Sequence, residues 1–272
     1  MRDHLVHRLP KLSPERIDQM LAEGRFVDEA GDPIDVATPY EANRFIWFHR
    51  DLPDETEVPY EVTVLHRDER IVVVDKPHFL SSIPRGQHIR QSVVVRLRAQ
   101  LELPDLGVAH RLDRLTGGVL LLTTERRWRA PYQSMFEHRQ VSKAYEAIAG
   151  YRADLTFPLT VRSHIVKDRG VLQAYEVPGA EPNAETTVEL LERRGKFARY
   201  RLVPHTGKTH QLRLHLHSLS IPIRNDPFYP ELLDVPLGDF SAPLRLIARE
   251  LAFADPVDGT PRRFTSRLPL PW

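Results

Sequence analysis

The chain has 272 residues, 41% hydrophobic and 28% charged, with a formal net charge of +1 and no cysteine. That is the make-up of a soluble globular protein, long enough for one large domain with a smaller appendage. It excludes disulfides, thiolate nucleophiles, iron-sulfur clusters and cysteine-ligated zinc, and no apolar run reaches the length of a membrane span.

The first eight residues lack the apolar stretch and cleavage site of a secretory signal, so a cytoplasmic location is expected. Ser13-Pro14-Glu15 predicts a helix start, with Ile17, Met20 and Leu21 at helical spacing until Gly24 ends it. Short extended pieces follow at 24–27 and 44–49, around a turn at Gly31-Asp32-Pro33. The acidic, proline-bearing stretch from Asp51 to Pro59 reads as a linker. Domains are therefore expected at 1–58 and 59–272.

From Tyr60 the pattern turns to strands. Tyr60, Val62 and Val64 alternate with polar residues, and Ile71 to Val74 is a continuous apolar run suited to a buried strand. Ser92 to Leu101 predicts a helix with Val93, Val94, Leu97 and Leu101 on one face. Val119 to Thr123 predicts a second buried strand, Arg126 to His138 a helix, and Val141 to Ile148 a strand. Thr186 to Leu191 and Phe197 to Val203 form a hairpin turned at Gly195. Thr209 to Leu219 predicts a helix capped by Thr209, and Leu244 to Phe253 with Arg262 to Ser266 flank a turn at Pro256-Val257-Asp258-Gly259. The fold class is α+β: a large mixed, mostly antiparallel sheet flanked by helices, plus a small N-terminal α+β unit. Charge is segregated. Residues 51–61 hold five acids and no cation, whereas Arg126, Arg127, Arg129, Arg139 and Lys143 offer a local basic face, alternatively an ordinary solvated helix surface.

Three segments concentrate polar side chains. In Ala109-His110-Arg111-Leu112-Asp113-Arg114, the Asp113 carboxylate stands near Arg111 and Arg114, which should hold it ionised and fit to act as a nucleophile. In Ser142-Lys143-Ala144-Tyr145, strand alternation sends Lys143 and Tyr145 to one face, where the phenol either serves a site or fills the core. In the run from Pro204 to His217, Arg213 and His217 share a helical face, and Arg213 either pairs with a carboxylate or is solvated. His205, His210, His215 and His217 lack the four-residue spacing around a glutamate of a zinc-protease helix, so no metal is expected. Gly117-Gly118 matches neither a Walker loop nor a dinucleotide fingerprint.

In order, these segments resemble the RluA family of RNA pseudouridine synthases. The likeness rests on His110-Arg111-Leu112-Asp113 with Thr116 and the following aliphatic strand, on Asp75-Lys76-Pro77, Lys143-Ala144-Tyr145, Thr209 to His215, and Pro222-Ile223 with Asp226 and Tyr229. It covers residues 60 to 268. Gly117 stands where many members have Ser, Asn225 where Gly is usual, and Ile247 where His is common; Asn is expected to keep a left-handed backbone. The first 50 residues resemble, through Leu21, Gly24-Arg25 and Val27, the small ribosomal-protein-type RNA-binding domain often fused to such enzymes, or are a family-specific extension.

The resemblance implies the pseudouridine synthase fold and isomerisation of uridine in structured RNA, ribosomal RNA foremost and transfer RNA second. It implies Asp113 as nucleophile, Arg213 as its ion-pair partner, and Tyr145 stacking on the base and assisting removal of the carbon-5 proton. Arg111 would fill the stack left by a flipped nucleotide, and Arg114, Lys143, Lys208, His210 and Gln211 would contact RNA. No cofactor, no metal and no membrane partner are implied, and the chain is expected to act as a monomer. The rival readings are a non-catalytic RNA-binding or ribosome-assembly module and a glycosidic-bond hydrolase, which would want a second carboxylate.

Overall fold

Helix α1 (Arg2–Arg8) has no sequence signature beyond Leu5 and is held by Arg2, whose guanidinium pairs with Asp18. In α2 (Pro14–Ala22) the predicted cap is present: the Ser13 hydroxyl accepts the Arg16 N–H at 3.2 Å. Strands β1 (Phe26–Val27) and β2 (Trp47–Phe48) pair antiparallel, and Ile17, Met20, Leu21, Phe26 and Ile34 form a small core. The computed structural model describes residues 1–48, 51, 54–86 and 88–272. His49, the end of the second predicted strand, and Leu52 and Pro53 of the expected linker lie outside the described residues.

The chain divides into two units, Met1–Asp54 and Glu55–Trp272. Residues 55–58, expected with the first unit, belong to the second. The Glu55 carboxylate accepts the N–H groups of Ile89, Arg90 and Gln91, and Val58 is buried in the main core.

In the second unit, β3 (Thr63–Arg67), β4 (Ile71–Lys76), α3 (Val93–Leu101), β5 (Gly107–Val108), β6 (Gly117–Thr123), α4 (Arg126–Glu137), β7 (Val141–Gly150) and β8 (Leu159–Ser163) follow in order. Then come β9 (Ile165–Val166), β10 (Tyr175–Glu176), β11 (Ala184–Arg194), β12 (Phe197–Pro204), α5 (Gln211–Ser218), β13 (Leu246–Ala254) and β14 (Pro261–Thr265). Ten strands make one sheet along the path β3-β4-β6-β13-β7-β12-β11-β8, with β14 beside β13 and β5 beside β6. Every pairing is antiparallel except β6 with β13. The mixed, mostly antiparallel sheet expected from sequence is thus present. All residues of β4 and β6 are buried, as their unbroken apolar runs require.

The single parallel contact depends on Gly118. Its φ is +114°, and a Cβ there would lie 2.3 Å from the Ala248 carbonyl oxygen. Only glycine permits that approach. Registers Gly118↔Ala248, Ala248↔Tyr145 and Tyr145↔Leu202 then form one row across β6, β13, β7 and β12. That row brings the loop before β6, the middle of β7 and the loop after β12 to one edge. Among the described residues, no helix is long and apolar enough to cross a membrane.

Candidate active site

The loop carrying Asp113 is held by side chains that read its backbone. Ser82 Oγ donates to Leu112 O at 2.8 Å and accepts the Leu112 N–H at 3.1 Å. The His78 ring meets Leu115 O at 2.7 Å, and His110 Nε2 accepts the Leu121 N–H at 3.2 Å. Lys76, fully buried at the end of β4, gives all three ammonium protons to carbonyls: Pro77, Leu80 and, at 3.2 Å, Arg114. Burial pushes Lys76 down to about 7, Asp113 pulls it up and Arg114 lowers it further. The signal for Lys76 was in the sequence, since two charges directly follow four residues of a buried strand. Burial likewise pushes His110 down to about 3 and His78 to about 4.

Asp113 itself is half-buried, with 35% of its side chain exposed. Its nearest cation is not a chain neighbour. Arg114 reaches toward Phe79 O and Arg111 is exposed at the rim, so the ion pairs expected from adjacency are replaced by one with Arg213 Nη1 at 3.9 Å, and the His210 Nε2 lies 4.0 Å away. No donor among the described residues lies within hydrogen-bond distance of the Asp113 carboxylate.

Arg213 is 1% exposed, which overturns the solvated alternative. Its closest partner is Asp226, a residue not singled out as a site member: Nε to Oδ2 is 2.7 Å and Nη2 to Oδ1 is 2.5 Å. This fork uses one edge of the guanidinium and leaves Nη1 for Asp113. Asp226 also accepts the N–H groups of Phe228 and Tyr229, which fixes the loop after α5. Asn225 in that loop has φ +61°, the left-handed geometry expected of it.

Helix α5 begins later than expected. His210, not Thr209, is its N-cap, with φ +58° and no side-chain cap. Residues 211–216 are all buried, so the helix has no solvated stripe. Gln211 accepts the Lys208 N–H at 3.0 Å and the Thr206 hydroxyl at 2.7 Å, and donates to Glu185 O and Thr186 Oγ1. Its amide is thus fully committed to the loop before α5 and to β11, and has no free valence for RNA. His210 is also buried, against Tyr229. His215, one of the four crowded histidines, bonds Thr186 Oγ1 and Ser163 Oγ.

A cleft of about 910 Å³ joins these parts, lined by Asp113, Tyr145, Arg213 and His210 and rimmed by Arg85, Arg111, Arg114, Arg139, Lys143 and Lys208. Tyr145 and Lys143 face it together, as strand alternation predicts. Burial, with Asp113 adding to it, pushes the Tyr145 phenol well above its ordinary value, so it keeps its proton. Burial and Arg139 lower Lys143. The basic face is therefore split: Arg139 and Lys143 line the cleft, whereas Arg126 pairs with Asp105, Arg127 with Glu125 and Glu69, and Arg129 binds Asp105 O. A Cβ at Gly117 would already meet the His78 ring at 3.0 Å and Leu268 at 3.1 Å, a tight fit for a larger residue there.

The profile of the RNA pseudouridylate synthase family matches residues 70–218. The human pseudouridylate synthase RPUSD2 is 33% identical over 187 residues, covering 66% of this chain and 33% of that protein. The chain thus spans about a third of the length of that relative and of its mouse counterpart. The dual-specificity RNA pseudouridine synthase RluA of Pasteurella multocida is 31% identical over 214 residues, covering 73% of this chain and 89% of that one. Among solved structures, the human RNA pseudouridylate synthase domain containing 1 superposes with a TM-score of 0.63 at 22% identity, over 77% of this chain and 84% of that chain. That likeness bears on the fold, and the pseudouridine synthase fold is the one observed.

Proposed function

The chain belongs to the RluA-type RNA pseudouridine synthase family, and from that premise we propose that it isomerises uridine to pseudouridine in structured RNA through Asp113. The observation that supports this best is a carboxylate presented to a cation-rimmed cleft with Arg213 behind it and no hydrogen-bond donor among the described residues spent on it. Attack on the base or on the anomeric carbon breaks the link to nitrogen 1; the base then turns and rejoins through carbon 5. Nothing is oxidised and nothing leaves, so the residues need only hold, attack and move protons.

Arg213 places a positive charge beside the carboxylate, and Asp226 fixes that guanidinium in its plane. Tyr145 offers an aromatic face for the uracil. Arg111, exposed at the rim, takes the place of the flipped nucleotide, and Arg114, Lys143 and Lys208 meet phosphates. Ribosomal RNA is the substrate we assign first and transfer RNA second; a dual specificity appears in the names of the bacterial relatives. The unit Met1–Asp54 carries seven Lys and Arg against eleven Asp and Glu. That balance supports a family-specific extension over an RNA-binding domain.

A hydrolase would need a second carboxylate facing the first, and Asp226 is taken up by Arg213. The test is to treat ribosomal and transfer RNA from cells lacking this protein with wild-type and Asp113→Asn protein. Pseudouridine formed by the wild type alone, without mass change, is expected. Free uracil would support hydrolysis, and binding without any altered uridine would support the non-catalytic module.

A further inference from the structure

The proton inventory around His210 fixes which of its nitrogens is free. Nδ1 lies 3.0 Å from the phenol oxygen of Tyr229. That same oxygen accepts the Ala174 N–H at 2.9 Å and donates to the Ala174 carbonyl at 2.8 Å. A phenol has one proton and two lone pairs. The carbonyl takes the proton and the amide takes one lone pair, so a single lone pair is left for the imidazole. Nδ1 therefore carries hydrogen and donates it. In the neutral ring Nε2 is then a bare acceptor, on the cleft wall 4.0 Å from Asp113 Oδ2.

Several charges face the ring: Asp113 from the loop before β6, Arg213 from α5, Asp226 from the loop after it, and Lys167 after β9. Burial, joined by Arg213 and Lys167, outweighs Asp113 and Asp226 and pushes His210 down to about 4, while burial pushes Tyr229 up to about 12. The imidazole is neutral and the phenol protonated at pH 7, as the inventory requires.

A pseudouridine synthase needs such an acceptor at its last step. After carbon 5 has joined the ribose, it still bears its hydrogen and carbon 6 is doubly bonded to nitrogen 1. The C5–H bond must break, its electron pair forming C5=C6 while the C6=N1 pair moves onto nitrogen 1. Tyr145 is a poor candidate for this proton, because its phenol is already protonated and held so. Resting on the synthase reading above, we propose that Nε2 of His210 takes the carbon-5 proton. Nitrogen 1 gains a proton from water, and the imidazolium, stabilised by the Asp113 carboxylate beside it, later returns its proton to water.

The test uses the full chain and RNA carrying uridine deuterated at carbon 5. In His210→Asn the side-chain amide can still donate to Tyr229, but no base replaces Nε2. The expected result is a fall in kcat of about a hundredfold, a KM within about twofold of wild type, and a primary deuterium effect larger than that of the wild type. His210→Gln, folded as judged by its melting temperature, must show the same enlarged isotope effect. An unchanged kcat, a slow variant with no larger isotope effect, or a change in KM alone overturns the proposal. A wild-type protein that forms no pseudouridine overturns the synthase reading itself.

Discussion

Opposite ends of β13 hold two knots of carboxylate and arginine. Beyond its C-terminal end, Asp255 is sealed from solvent and saturated: it accepts the Tyr132 hydroxyl at 2.8 Å and the Val257 N–H at 3.1 Å, with Arg70 and Arg262 each at 3.4 Å. At the cleft end, Asp113 is half-exposed, with Arg213 at 3.9 Å and the His210 ring at 4.0 Å, and no hydrogen bond to its carboxylate among the described residues. The same pair of groups is tied off in one place and left open to the cleft in the other. A saturated carboxylate stabilises a turn; a nucleophile needs lone pairs that face the substrate.

The cleft is costly to maintain, and the largest effect should come from its buried pair. Arg213→Met strands Asp226 in the interior and is expected to cost about 3–5 kcal/mol in urea unfolding, whereas Arg213→Met with Asp226→Leu recovers most of that without recovering activity. A single-variant cost below about 1 kcal/mol would break the contrast between exposed Asp113 and buried Asp226.

Next comes acid. Desolvation keeps the partly buried His110 and His78 and the buried His215 neutral, pushed down to about 3, 4 and 4. In the unfolded chain they bind protons near pH 6.5, where the folded protein does not, so their contribution to stability is present above that pH and is lost as pH falls toward 4. Unfolding free energies at pH 7.5 and 4.5 should differ by several kcal/mol, and His110→Gln, which can still accept the Leu121 N–H, should flatten that slope. A midpoint independent of pH across this window would contradict the burial account.

Much of this contrast could be seen in the sequence, but not its pairing. The buried strands showed themselves as apolar runs at 71–74 and 119–123, and the 256–259 turn through its Pro and Gly. Asp113 stood out because it precedes such a run. Its partners did not, because Arg111 and Arg114 are near it in the chain yet point elsewhere, while Arg213 arrives on a helix brought in through β13, β7 and β12. Asp226 had no local signal, since a partner 13 residues away along a loop is set by tertiary structure. Thr209 looked like a cap because caps are read from residue type, and a left-handed His210 has no such signature.

The smallest effect is expected outside both knots. Arg126, highly exposed and paired with Asp105 on the surface of α4, should change stability by no more than about 0.5 kcal/mol on replacement by Ala, with RNA turnover unaltered. Lys143→Met, in the cleft, should instead weaken RNA binding and lower its salt dependence by about one phosphate contact. Equal effects from the two would erase the division drawn within the basic face.

The most direct test of Asp113 as the proposed nucleophile compares Asp113→Asn with Asp255→Asn for both unfolding free energy and pseudouridine formed per folded molecule. Asp113→Asn should be as stable as wild type and form no pseudouridine; Asp255→Asn should lose stability and, while folded, keep its turnover. An Asp113→Asn protein that still isomerises uridine, or that loses as much stability as Asp255→Asn, would contradict the account.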